Sequence, residues 1–177
     1  MQLNNNNIQC ISENVFKDLE KLEKLNLNYN QIKICEPKSF INLKLLRKLY
    51  LNDNLIEIIT SDMFSCLLNL EILLLDNNCI NCIQDLAFSD LKKLRVLTLK
   101  ENCITELRIS NLNGLNNLEV LILCNNLLNH IDLNLFEMTP NLKEVDLRNN
   151  EICKMNDFVC EIEKYFFKSN EFLLKLR

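Results

Sequence analysis

LEKLNLNYNQI, from Leu22 to Ile32, is the stretch on which the fold turns. It reads L-x-x-L-x-L-x-x-N-x-I, and its asparagine is one of a series: Asn6, Asn30, Asn54, Asn78, Asn102, Asn126 and Asn150, each 24 residues after the last. No single helix or strand has that period; a unit stacked along one axis does. The apolar positions keep the same step. Leu22, Leu46, Leu70, Leu94, Leu118 and Leu142 form one column, and Leu25, Leu49, Leu73, Leu97, Leu121 and Val145 a second. Leu3, Leu27, Leu51, Leu75, Leu99, Leu123 and Leu147 form a third.

Within the unit that starts at Leu46, LRKLYLND alternates apolar and polar residues around Leu49 and Leu51, the pattern of a short strand with one buried face. Asn54 then turns the chain. A buried carboxamide must satisfy donors and an acceptor, and a neighbouring turn offers free backbone groups for them. Ile56 and Ile59 return to the core, Phe64 fills the back of the coil and Leu67 closes it. The back-filling column runs Phe16, Phe40, Phe64, Phe88, Leu112, Phe136 and Cys160; the first returning column runs Ile8, Ile32, Ile56, Ile80, Ile104, Leu128 and Ile152. Successive strands then lie side by side as a parallel sheet, with the bulkier returning segments behind it, so the sheet takes the concave side.

These columns resemble the leucine-rich repeat family, in its 24-residue class L-x-x-L-x-L-x-x-N-x-L-x-x-L-x-x-x-x-F-x-x-L-x-x. The resemblance implies an α/β chain coiled into a right-handed leucine-rich-repeat solenoid, with a concave parallel β-sheet and an irregular convex side. It covers residues 1–157, about seven units with the first truncated. Met1 already falls in the column of Leu25, so the chain either starts in a clipped repeat or is a fragment of something longer. Residues 158–177 depart from the pattern. Phe158, Ile162, Tyr165 and Phe166 have helical spacing, with Asn156 or Asp157 as the cap, and predict a short C-terminal helix over 158–168. FLLKLR puts Leu174 and Leu176 in the L-x-L places and predicts an edge strand; the alternative is one frayed helical tail.

Hydrophobic residues make up 48% of the 177, enough for a continuous core, and one glycine with two prolines leaves no linker-like boundary. A net charge of −4 argues against a nucleic-acid partner, which calls for a basic face. No apolar run approaches the length that crosses a bilayer, and MQLNNNNIQC lacks the basic and apolar segments of a signal peptide.

The outward positions of the sheet are free of the core and carry the functional information. Before the second leucine come Lys24, Lys48, Ile72, Val96, Val120 and Glu144; after it come Asn26, Tyr50, Leu74, Thr98, Ile122 and Asp146; after the third come Asn28, Asn52, Asp76, Lys100, Cys124 and Arg148. Ile72, Leu74, Val96, Val120 and Ile122 form an apolar centre with polar margins, the usual build of a binding patch. Against this stands the preference of β-branched residues for strands in any sheet. Lys48, Tyr50, Asp76, Thr98, Lys100 and Asp146 surround that centre and are candidates for orienting a partner.

The nine cysteines are scattered among repeat positions and not gathered in caps, which favours reduced thiols. Cys79 and Cys82 form a C-x-x-C that Cys103 approaches one turn on, an incomplete set for zinc and a weak redox signal; a Cys79–Cys103 disulfide is the alternative under oxidising conditions. No N-x-S/T sequon occurs. Cytoplasmic residence is favoured on these grounds. The 24-residue class, more typical of extracellular members, pulls the other way, toward a fragment without its signal peptide. His130, the lone histidine, has no nucleophile and acid around it that would make a catalytic set, and one glycine cannot make a phosphate loop.

The expectation is therefore a non-catalytic protein-binding module that uses the concave face, without cofactor, metal or membrane insertion. Its rivals are a fragment of an extracellular receptor or matrix-type ectodomain, a scaffold or regulatory subunit of a catalytic partner, and the product of a truncated gene copy.

Overall fold

The computed structural model describes residues 1–152 and 173–176. In chain order the strands are β1 (Cys10–Ile11), β2 (Lys24–Asn26), β3 (Ile34–Cys35), β4 (Lys48–Tyr50), β5 (Ile58–Ile59), β6 (Ile72–Leu74), β7 (Cys82–Ile83), β8 (Val96–Thr98), β9 (Val120–Ile122), β10 (Glu144–Asp146) and β11 (Leu173–Lys175). The sheet of the solenoid takes β2, β4, β6, β8, β9, β10 and β11 side by side, all parallel. Gln2 extends it by a bridge to Asn26. Register follows the repeat: Leu25, Leu49, Leu73, Leu97, Leu121 and Val145 are cross-strand partners, each with no exposed surface. Val145 then pairs with Leu174, a step longer than the 24-residue period. The edge strand thus forms where FLLKLR predicts it, in place of a helical tail at those residues. The helix expected over 158–168 lies outside the described residues.

Behind the sheet the expected core forms. Phe16, Phe40, Phe64 and Phe88 stack ring on ring, with centroids 5.9, 6.3 and 6.1 Å apart and nearly parallel planes. Offset stacking adds to the burial of these large rings, which fill space that a leucine-only return would leave. The convex side has little regular structure, as expected: β1 pairs with β3 and β5 with β7. In the fifth unit Leu112 replaces the phenylalanine, and a short helix, α1 (Ile109–Leu112), takes up the slack. Buried Asn111 serves that unit, donating from Nδ2 to the Ile83 carbonyl (3.0 Å) and accepting from the Arg108 amide at Oδ1 (2.7 Å). A 3-10 segment over Leu133–Met138 follows in the sixth.

The asparagine column ties these turns together. Asn78 Nδ2 donates to the carbonyl oxygens of Leu51 (2.9 Å), Leu75 (3.1 Å) and Asp76 (3.2 Å), and Oδ1 accepts from the Ile56 amide (3.1 Å). Asn54 and Asn102 repeat the set one turn to either side. Each carboxamide therefore holds its own turn and the one before it. The residue preceding each asparagine (Asn5, Tyr29, Asp53, Asn77, Glu101, Asn125 and Asn149) has φ between 53° and 57°. That left-handed residue swings the carboxamide inward. Asn and Asp adopt it at little cost, while Tyr29 and Glu101 carry strain that the ladder overcomes.

A second ladder runs beside the first. Asn28 Oδ1 accepts from the Asn52 amide (2.8 Å), Asn52 Oδ1 from the Asp76 amide (2.9 Å) and Asp76 Oδ1 from the Lys100 amide (2.8 Å). It ends at Lys100, whose side chain cannot accept. The lone glycine has a specific role. Gly114 has φ of 94°, and a Cβ there would sit 2.4 Å from the carbonyl oxygen of Ser89, one turn below.

Asn78→Ala leaves a buried donor and buried acceptors unpaired and is expected to cost about 2–5 kcal/mol in chemical denaturation. Asn6→Ala, at an exposed carboxamide bonded among the described residues only to the Leu3 and Asn4 carbonyls, should cost less than about 1 kcal/mol. Equal losses would refute the ladder's role. Gly114→Ala is expected to destabilise by roughly 1–3 kcal/mol through the forced contact and the left-handed backbone; an unchanged denaturation midpoint would show that the turn at Ser89 yields freely.

Candidate functional site

Alternate residues of the short strands point away from the core, and the parallel register lines them up. Lys48, Ile72, Val96, Val120 and Glu144 are partners across β4, β6, β8, β9 and β10, as are Tyr50, Leu74, Thr98, Ile122 and Asp146. With strands about 4.8 Å apart, the side chains of each row touch or nearly touch. Ile72, Leu74, Val96, Thr98, Val120 and Ile122 are half-buried, with no layer over them among the described residues. The structure thus brings the predicted apolar centre together as one contiguous stripe. Tyr50 stands at its margin, where the Lys24 ammonium lies 4.9 Å from the ring centroid. That placement is within cation–π reach.

The predicted polar neighbours divide. Asp146 is only 3% exposed. Its carboxylate takes two bonds from the Arg148 guanidinium, Nε to Oδ1 (2.9 Å) and Nη2 to Oδ2 (2.6 Å), so the arginine is what the surface presents there. Burial alone would raise the Asp146 carboxyl, but the Arg148 bonds outweigh it and hold the carboxyl below its ordinary range. Lys100 forms an ion pair with Glu101 at 2.9 Å. Asp76 is half-buried in the second ladder, and burial pushes its carboxyl up against the opposing pull of the Thr98 hydroxyl and the Lys100 amide. Lys48 is half-buried, with no ion pair among the described residues.

One column went unnoticed in the sequence. Glu23, Arg47, Glu71, Arg95, Glu119 and Lys143 stand one position before the outward row and alternate in sign. Arg47 makes a two-point bond to Glu71 (2.9 and 3.0 Å), Arg95 makes one to Glu119 (2.8 and 3.1 Å), and Lys143 adds a contact to Glu119 at 3.3 Å. This rim borders a shallow groove of about 510 Å³ whose floor includes Lys24, Lys48, Ile72 and Val96. The visible signal was the alternation itself. Its meaning needs the knowledge that residues 24 apart are neighbours.

The cysteines are dispersed. Cys10, Cys66, Cys79, Cys82 and Cys103 are free and exposed, and burial pushes Cys35 up to about 12. Burial also pushes Cys124 up, helped by the Asp146 charge. Among the described residues no three metal-ligating side chains come together. His130 is exposed, beside a convex-side groove lined also by Glu106, Arg108 and Asp132. Among the described residues no helix is long and apolar enough to cross a membrane.

Asp76→Asn keeps the acceptor that Asn28 and Asn52 supply in the same column. The folded carboxyl titrates above its unfolded value, so ionisation works against folding, and that penalty is fully present at neutral pH. The substitution should raise the denaturation midpoint at pH 7 and raise it less at about pH 3, where the unfolded carboxyl is protonated too. A larger gain in acid than at neutral pH would contradict the assignment.

Comparison with known proteins agrees with this architecture. The family model described as leucine rich repeat matches residues 1–56, 44–104, 68–119 and 97–152. None of the curated proteins searched matches. Among solved structures, a crystal structure of a TLR13–ssRNA13 complex is similar, with a TM-score of 0.82 and 32% sequence identity. The alignment covers 96% of this chain and 24% of that one, so this chain spans about a quarter of that neighbour's length. With the family model matched across residues 1–152 and the same stacked geometry in the structure, the chain belongs to the leucine-rich repeat family.

Proposed function

We propose that the chain is a non-catalytic binding module and that its concave sheet takes another protein. The observation that carries this reading is the in-register stripe of Ile72, Val96 and Val120 beside Leu74, Thr98 and Ile122, half-buried on a rigid sheet and bordered by charge. Covering each aliphatic side chain contributes roughly 1.5–3 kcal/mol before the costs of association. Preorganised faces of this build bind without large rearrangement. The thiols with shifted titration, Cys35 and Cys124, move upward, away from the thiolate that chemistry requires.

A second reading, single-stranded RNA as ligand, is favoured by the RNA in the similar complex. An aliphatic centre and a net charge of −4 suit a protein better, because phosphates recruit rows of unpaired cations.

The test is a pull-down from the native source with the parent chain and an Ile72→Glu/Val120→Glu variant, both first shown by circular dichroism to be folded. A protein held by the parent and lost by the folded variant is the expected result, with affinity reduced at least about 100-fold for two buried carboxylates in an apolar contact. Retention of the same partner by the variant would move the binding surface off the concave stripe.

A further inference from the structure

Resting on the concave-face reading, we propose that the partner segment is acidic as well as aliphatic, with carboxylates against Lys24 and Lys48 and apolar side chains over Ile72, Val96 and Val120. The argument is one of unmatched charge. Along the face and its rim most cations already have an acidic contact within the chain: Arg47 with Glu71, Arg95 with Glu119, which Lys143 shares, Lys100 with Glu101, Arg148 with Asp146, and Lys175 with Glu144. Among the described residues, Lys24 and Lys48 have none. Lys48 stands half-buried on β4, in the row that continues into Ile72, with no acidic partner among the described residues. Among the described residues the Lys24 ammonium has only the Tyr50 ring. Glu23 on the rim offsets one of the two, so this end of the face remains cationic.

Position makes these charges useful. Lys24, Lys48, Ile72 and Val96 share one groove, so a single ligand segment meets cations first and aliphatic surface next. From Lys48 to Val120 the row crosses three strand spacings, about 14 Å. An extended polypeptide covers that distance in about four or five residues. A carboxylate placed that far from a run of aliphatic side chains satisfies both ends together. The half-buried setting of Lys48 strengthens the attraction relative to a fully solvated lysine. Nucleic acid fits less well. It offers a phosphate at every nucleotide, whereas among the described residues the unpaired cations of the face stop after β4, and the centre carries no aromatic side chain for a base to stack on.

The probes are a fluorescent peptide with Asp-Glu ahead of alternating Leu/Val and Ser, its counterpart with Lys-Lys in place of Asp-Glu, and a single-stranded RNA oligonucleotide, each titrated by fluorescence anisotropy. The acidic peptide is expected to bind at least about tenfold tighter than the basic one, with the difference shrinking in high salt. Lys24→Glu/Lys48→Glu should reverse the order; these side chains lie outside the core, and circular dichroism checks the fold. Equal binding of the two peptides, lost in Ile72→Glu/Val120→Glu, would overturn this inference and leave the concave-face reading standing. Peptide binding indifferent to Ile72→Glu/Val120→Glu would overturn both. Binding of the RNA alone, or of no probe, would overturn the acidic-segment proposal.

Discussion

A buried carboxamide that must satisfy every one of its polar groups is the constraint on which this molecule depends. Asn54, Asn78 and Asn102 each find acceptors in their own turn and in the turn before, and each accepts an amide from the chain as it leaves that earlier turn. Those bonds close only if adjacent turns contain the same number of residues between strand and bend. The 24-residue period is therefore a hydrogen-bonding requirement before it is a packing one. Once it is met, the leucine columns stack without gaps and the phenylalanines meet face to face. The left-handed residue ahead of each asparagine follows from the same demand, since without it the carboxamide would point to solvent.

The proposed binding face occupies what this constraint leaves free. Inward side chains are committed to the core, and the bend is committed to the ladders. The outward rows of the sheet can vary without loss of the fold, and there this chain places aliphatic residues in the middle and charge at the edges. Most of that charge is neutralised locally by partners one turn away. Exposed pairs such as Arg47–Glu71 contribute little to stability, but they fix which ionic groups remain unanswered.

Sequence alone made the architecture legible because each column tolerates few residue types: leucine at the strand, asparagine at the bend, phenylalanine at the back. The apolar centre of the sheet was legible for the same reason, its position following from the register. Side-chain pairing was harder to see. Asp146 has the look of an exposed acid on the outward row, yet Arg148 folds back over it, and the direction in which a long side chain folds is not encoded in spacing. Asp76 and Lys100 were visible as charges but not as a ladder acceptor and an ion-pair partner. The alternating rim from Glu23 to Lys143 was present in the string, but it acquires meaning only when residues 24 apart are treated as neighbours. Gly114 could be counted, but the nearness of Ser89 that requires it is a tertiary fact.

The reinforcing devices are not spread evenly. The ring stack runs from Phe16 to Phe88, the second ladder ends at Lys100, and the paired convex strands end at Ile83. Beyond these points the turns are joined chiefly by the sheet, the leucine core and the first asparagine ladder. In a stack where each unit senses only its neighbours, the free energy of local opening follows such nearest-neighbour terms. Amide protons of the earlier turns should therefore exchange with solvent more slowly than those near Asn126 and Asn150. The apolar stripe on β6, β8 and β9 straddles that gradient, so a ligand bound across it would clamp the looser turns onto the firmer ones.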